Sequence, residues 1–142
     1  MSGSLERQFV DSNVLIYAND ISAGIKREQA RELVAQLWQQ EAGCVSIQVL
    51  QELYVNLTRK VPQPLDGATA SRIIADLSQW QVHSPEPPDL LAAIEIQQRN
   101  QISFWDAMIV RSAARLGCLR IWSEDLNSGQ VYEGVRVENP FA

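Results

Sequence analysis

Residues 9–20 read FVDSNVLIYAND. Phe9–Val10 has the apolar character of a short buried strand, and it ends at Asp11. From Val14 to Asn19 the chain continues as an apolar helix, with Ser12 or Asn13 able to cap it. A strand that turns directly into a helix is the opening of an α/β fold. It also leaves a carboxylate at the junction, where burial costs several kcal/mol unless something balances the charge.

The rest of the chain repeats the alternation. Residues 27–42, REQARELVAQLWQQEA, place Ala30, Leu33, Val34, Leu37 and Trp38 on one helical face. Gly43 is expected to end this helix, and CVSI to form a buried strand. Gln48–Lys60 reads as a helix stopped by Val61-Pro62, and Asp66–Trp80 as another with Ile73, Ile74 and Leu77 inward. QVHS is a third strand, 85–88 a turn, and Asp89–Gln101 a helix. Ser103 opens the helix FWDAMIVRSAARLG, closed at Gly117. LRIW is a fourth strand, SEDLNSGQ a polar loop, and GVRVENPF a short last strand and tail. Strands alternating with helices imply a mostly parallel sheet, in which ligands bind beyond the carboxyl ends of the strands. Asp11 ends the first strand, and Ser123-Glu124-Asp125 follows the fourth.

Composition narrows the function classes. The 142 residues are 46% hydrophobic and 20% charged, which suits one globular domain spanning 1–142. The first residues, MSGSLERQF, lack the basic-then-apolar pattern of a signal segment, and no apolar run approaches a membrane span. The cytoplasm is the expected compartment, and no membrane partner is expected. Cys44 and Cys118 read as small core residues, and one histidine with no CxxC argues against a zinc-thiolate site. His83 reads as a surface or core histidine. A net charge of −5 opposes nucleic acid as a partner unless divalent cations invert the local field.

Four carboxylates attract notice, each with an ordinary alternative. Asp11 is as well explained by helix capping as by function. Asp106 fits a capping box, Ser103-Phe104-Trp105-Asp106, but shares a face with Ile109, Val110 and Ala113, so it points toward the core side. Glu52 taken alone looks like any exposed glutamate. Asp125 suits an Asx turn in its loop, with Glu124 facing elsewhere. Together the four gather at strand ends and helix starts on one sheet edge. Crowded like charges require a compensating cation, and oxygen-only ligands favour Mg²⁺ or Mn²⁺. The chemistry that follows is metal-assisted phosphodiester hydrolysis.

The segments FVDSNVLIYAND, QVLQELYVN, SFWDAMIVRSAARLGC, IWSEDLNSGQ and VENPF resemble, in order and spacing, the PIN-domain ribonucleases. The likeness extends over the whole chain and is nearest to the VapC-type toxins of toxin–antitoxin pairs. It implies a three-layer α/β/α fold with four or five strands in the order 3-2-1-4-5. It implies that Asp11, Glu52, Asp106 and Asp125 form an acidic catalytic, metal-binding set. Asn13 and Ser123, with Ser12 beside them, match the supporting positions, Ser123 standing where threonine is commoner. The resemblance also implies a Mg²⁺- or Mn²⁺-dependent endoribonuclease, homodimers, transfer or ribosomal RNA as substrate, and an antitoxin that obstructs the pocket.

A housekeeping PIN nuclease and a non-catalytic PIN-like scaffold are the alternatives. Other acidic-pocket folds match less well. A haloacid-dehalogenase-type phosphatase needs Asp where position 13 is Asn. A receiver domain needs a phosphoacceptor Asp after the third strand, where this chain has Ser84-Pro85. Neither GxxxxGK nor G-x-S-x-G occurs. Arg59, Lys60, Arg111, Arg115 and Arg120 are candidates for a basic rim or for ordinary solvated faces. The four tryptophans, at 38, 80, 105 and 122, are expected mostly in the core.

Overall fold

The computed structural model describes residues 6–142; the N-terminal MSGSL lies outside them. At the centre is β1 (Gln8–Val10), paired in parallel with β2 (Gly43–Ser46) on one side and β4 (Arg120–Trp122) on the other. Phe9, Val10, Cys44, Val45 and Ile121 are fully enclosed, which is why these strands read as continuous apolar runs rather than alternating ones. Beyond β2 lies β3 (Gln81–His83), and beyond β4 lies β6 (Val135–Glu138), both parallel to their neighbours.

A short β5 (Val131–Tyr132) closes the edge antiparallel to β6, giving the order β3-β2-β1-β4-β6-β5. The expected 3-2-1-4-5 order survives in the parallel strands, and β5 is the addition. Two residues of strand leave too little pattern to read. The turn that makes it is Glu133-Gly134, both at positive φ (50° and 81°), the conformation that tight hairpins demand.

Among the described residues, six α-helices connect the strands: α1 (Ser12–Asn19), α2 (Ile25–Gln40), α3 (Ile47–Val55), α4 (Gly67–Leu77), α5 (Pro87–Asn100) and α6 (Phe104–Arg115). The connections from β1 to β2 and from β2 to β3 step one way along the sheet, and that from β3 to β4 steps back. Right-handed crossovers therefore put α1–α4 on one face and α5–α6 on the other. The packing of α1 against α2 and α3, of α3 against α4, and of α5 against α6 agrees with these three layers. The reversal falls between β1 and β4. In doubly wound sheets the crevice at such a reversal, outside the carboxyl ends of the strands, is where ligands sit.

Local chemistry shifts several boundaries. The helix read as 27–42 begins at Ile25 and ends on Glu41, which takes the left-handed conformation (φ 54°). Gly43 is instead the first residue of β2, and a Cβ there would meet the Trp80 ring at 2.6 Å. The expected turn at 85–88 is partly helix, because Pro87 and Pro88 occupy the first turn of α5, where their missing amide donors cost nothing. The helix read as 48–60 is α-helical only to Val55, and Asn56–Lys60 forms a π turn.

Candidate active site

The crevice between β1 and β4 is built around Asp11. Its amide continues the sheet by donating to the Trp122 carbonyl at 3.0 Å, which fixes the residue where β1 gives way to α1. Its carboxylate caps α1 by accepting from the Ser12 amide at 2.8 Å. The second oxygen accepts from the Ser123 hydroxyl at 2.8 Å and from Asn13 Nδ2 at 3.3 Å. Asp11 is thus both a cap and the centre of a polar cluster, so the two readings of this residue are compatible. It is buried, at 5% exposure.

Ser123, which follows β4, is fully buried and organises the opposite wall. Its hydroxyl oxygen accepts from the amides of Asp125 (3.1 Å) and Leu126 (3.4 Å), while its proton goes to Asp11. Asn13 spans the two walls. Its Oδ1 accepts from the Glu124 amide at 3.1 Å, which fixes the amide's orientation, and its Nδ2 lies 3.1 Å from Asp125 Oδ2. One amide group therefore holds Asp11 and Asp125 together against their mutual repulsion. Glu52 enters from α3, where Ser46 at the end of β2 caps the helix by accepting from the Val49 amide. The Ser12 hydroxyl donates to Glu52 Oε1 at 3.1 Å, tying α3 to α1.

Asp106 approaches from the other helical layer. Ser103 accepts from its amide at 3.0 Å, but the reciprocal bond from the Asp106 carboxylate to the Ser103 amide is not made. The expected capping box is therefore half formed. Asp106 is half-buried, whereas Asp125 is exposed at the mouth of the crevice. Among the described residues, no three of these carboxylates draw close enough to hold one ion jointly; they form an open ring.

The electrostatics of the ring are unfavourable as they stand. Burial pushes the Asp11 carboxyl up to about 6, against the bonds from Ser123 and Ser12, with the charges of Glu52 and Asp125 adding to the rise. Burial raises Asp106 too, opposed by Ser103 and reinforced by Asp125. No ion pair among the described residues involves Asp11, Glu52, Asp106 or Asp125. A set of oxygen donors carrying excess negative charge, with no protein cation to balance it, is chemically suited to a hard divalent ion.

The family model for the PIN domain matches residues 9–133. This chain belongs to the PIN domain family. No curated protein matches its sequence. Among solved structures, the PIN fold seen here is similar to the Mycobacterium tuberculosis VapC20, a sarcin-ricin loop cleaving toxin, at 20% identity and a TM-score of 0.66, over 91% of this chain and 98% of that one. It is also similar to a chain of the DNA-bound VapBC from Salmonella typhimurium (17% identity, TM-score 0.67, 96% and 99% covered). A chain of a toxin–antitoxin complex from Klebsiella pneumoniae gives 18% identity and a TM-score of 0.68, with 94% and 97% covered.

Several other charged residues of this PIN domain are engaged away from the crevice. Glu124 accepts from Lys26 at 2.7 Å and from the Tyr17 hydroxyl at 3.0 Å, so it faces elsewhere than Asp125. Of the candidate basic rim, Arg111 and Arg120 are taken by ion pairs, whereas Arg59, Lys60 and Arg115 make none with any described residue. Arg111 is held by Asp89 at 2.8 Å, and Arg120 by Glu6 at 2.8 Å and Glu138 at 3.1 Å. His83 is a core histidine, with Nδ1 2.8 Å from the Ser112 hydroxyl and Nε2 3.4 Å from Asp89.

The expected burial of the tryptophans holds for Trp80 and in part for Trp122, but Trp105 is 63% exposed and Trp38 is 39% exposed. Trp105 precedes the inward Asp106 in the first turn of α6, and adjacent helix residues point about 100° apart. That spacing is the signal that would have placed it outside.

Proposed function

We propose that this chain is a divalent-metal-dependent endoribonuclease and the toxin of a toxin–antitoxin pair, acting in the cytoplasm. The observation that carries the chemistry is Asp11: a buried carboxylate, raised to about 6, that shares its crevice with Glu52 and Asp125 and has no cation partner among the described residues. The toxin assignment is supported by similarity of fold to a sarcin-ricin loop cleaving toxin and to the chains of toxin–antitoxin complexes.

In this reading Asp11, Glu52, Asp106 and Asp125 are the residues that would hold Mg²⁺ or Mn²⁺, with water and substrate phosphate oxygens completing the shell. The ion would supply a water acidic enough to attack phosphorus at neutral pH and would neutralise charge on the phosphate oxygens. The protein's part is orientation. Ser123 and Asn13 fix the rotamer of Asp11, Asn13 keeps Asp125 beside it, and Ser12 aims Glu52 into the same space. The exposed Asp125 stands at the open side, where an RNA strand would enter. A structured RNA such as transfer or ribosomal RNA is the proposed substrate. A homodimer and an antitoxin that covers the crevice are the proposed partners.

The test is growth of a bacterium expressing the chain alone, beside Asp11→Asn at matched soluble levels. Arrest by the wild type, relieved by the substitution, is the expected result. Equal arrest by both would show toxicity without catalysis, and the reading would fall.

A further inference from the structure

Beside the carboxylates lies an open groove of about 510 Å³, bounded by Ser12, Asn13, Glu52, Asn56, Lys60 and Asp125 among others. Among the described residues, Lys60 is the only cation in that lining. It is exposed, and it makes no ion pair with any described residue. Lys26, the other lysine of the chain, is held by Glu124.

Its placement depends on the π turn. The Val61 amide bonds to the Asn56 carbonyl five residues back, at 3.1 Å, and Val61-Pro62 ends the helix there. In an α-helix of 3.6 residues per turn, Lys60 would lie about 80° around the axis from Glu52. A π turn takes more residues per revolution, so the positions after Asn56 rotate back toward the Glu52 face. The irregularity puts an ammonium group on the wall of an acidic groove, where a continuous α-helix would direct it aside.

We propose that Lys60 binds a phosphate of the RNA backbone flanking the scissile bond, on the Glu52 side of the crevice. The inference rests on the ribonuclease reading and adds to it the group that grips the substrate. Lysine suits the task as a mobile point charge that can follow a flexible strand. In a chain of net charge −5, an anionic substrate needs such a contact next to the acidic ring.

The test uses the full chain carrying Asp11→Asn, so that RNA is bound without being cut. Binding of a short labelled single-stranded RNA of mixed sequence is followed by fluorescence anisotropy across a salt series, at constant magnesium. Adding Lys60→Ala should flatten the slope of log affinity against log salt by about 0.7, the contribution of one single-strand phosphate contact. Lys60→Arg should restore the slope. Arg59→Ala, which removes the same charge one residue away and outside the groove lining, should leave it unchanged. In the otherwise wild-type enzyme, Lys60→Ala should raise KM with little change in kcat. An unchanged slope in Lys60→Ala, an equal loss in Arg59→Ala, or no salt-dependent binding by the parent would each overturn the proposal. Failure of the ribonuclease reading is seen separately, as undiminished RNA cleavage by Asp11→Asn alone.

Discussion

Asp11 and Asp89 are equally buried, each 5% exposed, and the protein treats their charges in opposite ways. Asp89 sits in the first turn of α5, in a complete capping box with Glu86, and its oxygens meet Arg111 at 2.8 Å and His83 at 3.4 Å. Burial pushes Asp89 up, but the Glu86 amide, Arg111 and His83 outweigh it, and its carboxyl stays below the usual range. Asp11 receives only neutral donors and faces two further carboxylates. The contrast separates an aspartate whose charge the protein balances from one whose charge it leaves unbalanced. Asp106 and Asp89 repeat the lesson at the same helical position: Asp89 bonds back to its cap, and Asp106 does not.

The widest separation between the two regions is expected in activity. Removing a metal ligand should exceed the 10–100-fold cost of losing a supporting contact, so Asp11→Asn should lower RNA cleavage by well over about 100-fold. Asp89→Asn should leave the rate per folded molecule intact. In stability the order reverses. Asp89→Asn leaves the part-buried Arg111 without its acceptor, which should cost about 1–3 kcal/mol. Asp11→Asn removes an uncompensated charge and should stabilise the metal-free protein by about 1–3 kcal/mol near pH 7. Urea unfolding of the three proteins without divalent ions checks both signs.

Acidity sharpens the same contrast. Asp11 titrates higher folded than unfolded, so its contribution is fully present below its ordinary value of 3.8 and is lost as pH rises through about 6. The advantage of Asp11→Asn should therefore be greatest above pH 6 and close toward pH 4. His83, held low mainly by burial, and Asp89, also held low, contribute stability that is present at neutral pH and lost on acidification. The Asp89→Asn deficit should therefore persist through neutral and mildly acidic pH and shrink only below Asp89's ordinary value of 3.8, where its own carboxylate is protonated. Melting temperatures across pH 3–8 for the three proteins would reveal either trend.

The smallest effect belongs to the supporting shell. Ser123→Ala deletes the shortest side-chain bond to Asp11 and should weaken Mn²⁺ binding about tenfold, read by titration calorimetry.

The sequence discloses these regions unevenly. The βα junction at Asp11 is legible because a fully buried strand and an apolar helix leave their pattern on either side of one charged residue. Glu52 is not legible from its surroundings, since its partner Ser12 lies 40 positions away and only folding joins them. Resemblance alone singles it out. Asp89 is not legible either, because a Glu-x-x-Asp cap lacks the usual Ser or Thr, and because its partner Arg111 stands 22 residues on. The π turn did leave a trace. Leu53, Leu57 and Val61 are all buried at a strict spacing of four, longer than the 3.6 of an α-helix.

On the function proposed above, the charge at Asp11 is left for a divalent ion to balance. Thermal unfolding of wild type and Asp11→Asn at pH 7, each with and without Mn²⁺ and in the absence of RNA, addresses this without any assumption about substrate. The wild type should melt below the variant in chelator and rise steeply as Mn²⁺ is added, while the variant stays nearly still. A wild type indifferent to the ion, or an equal rise in both proteins, would contradict the account.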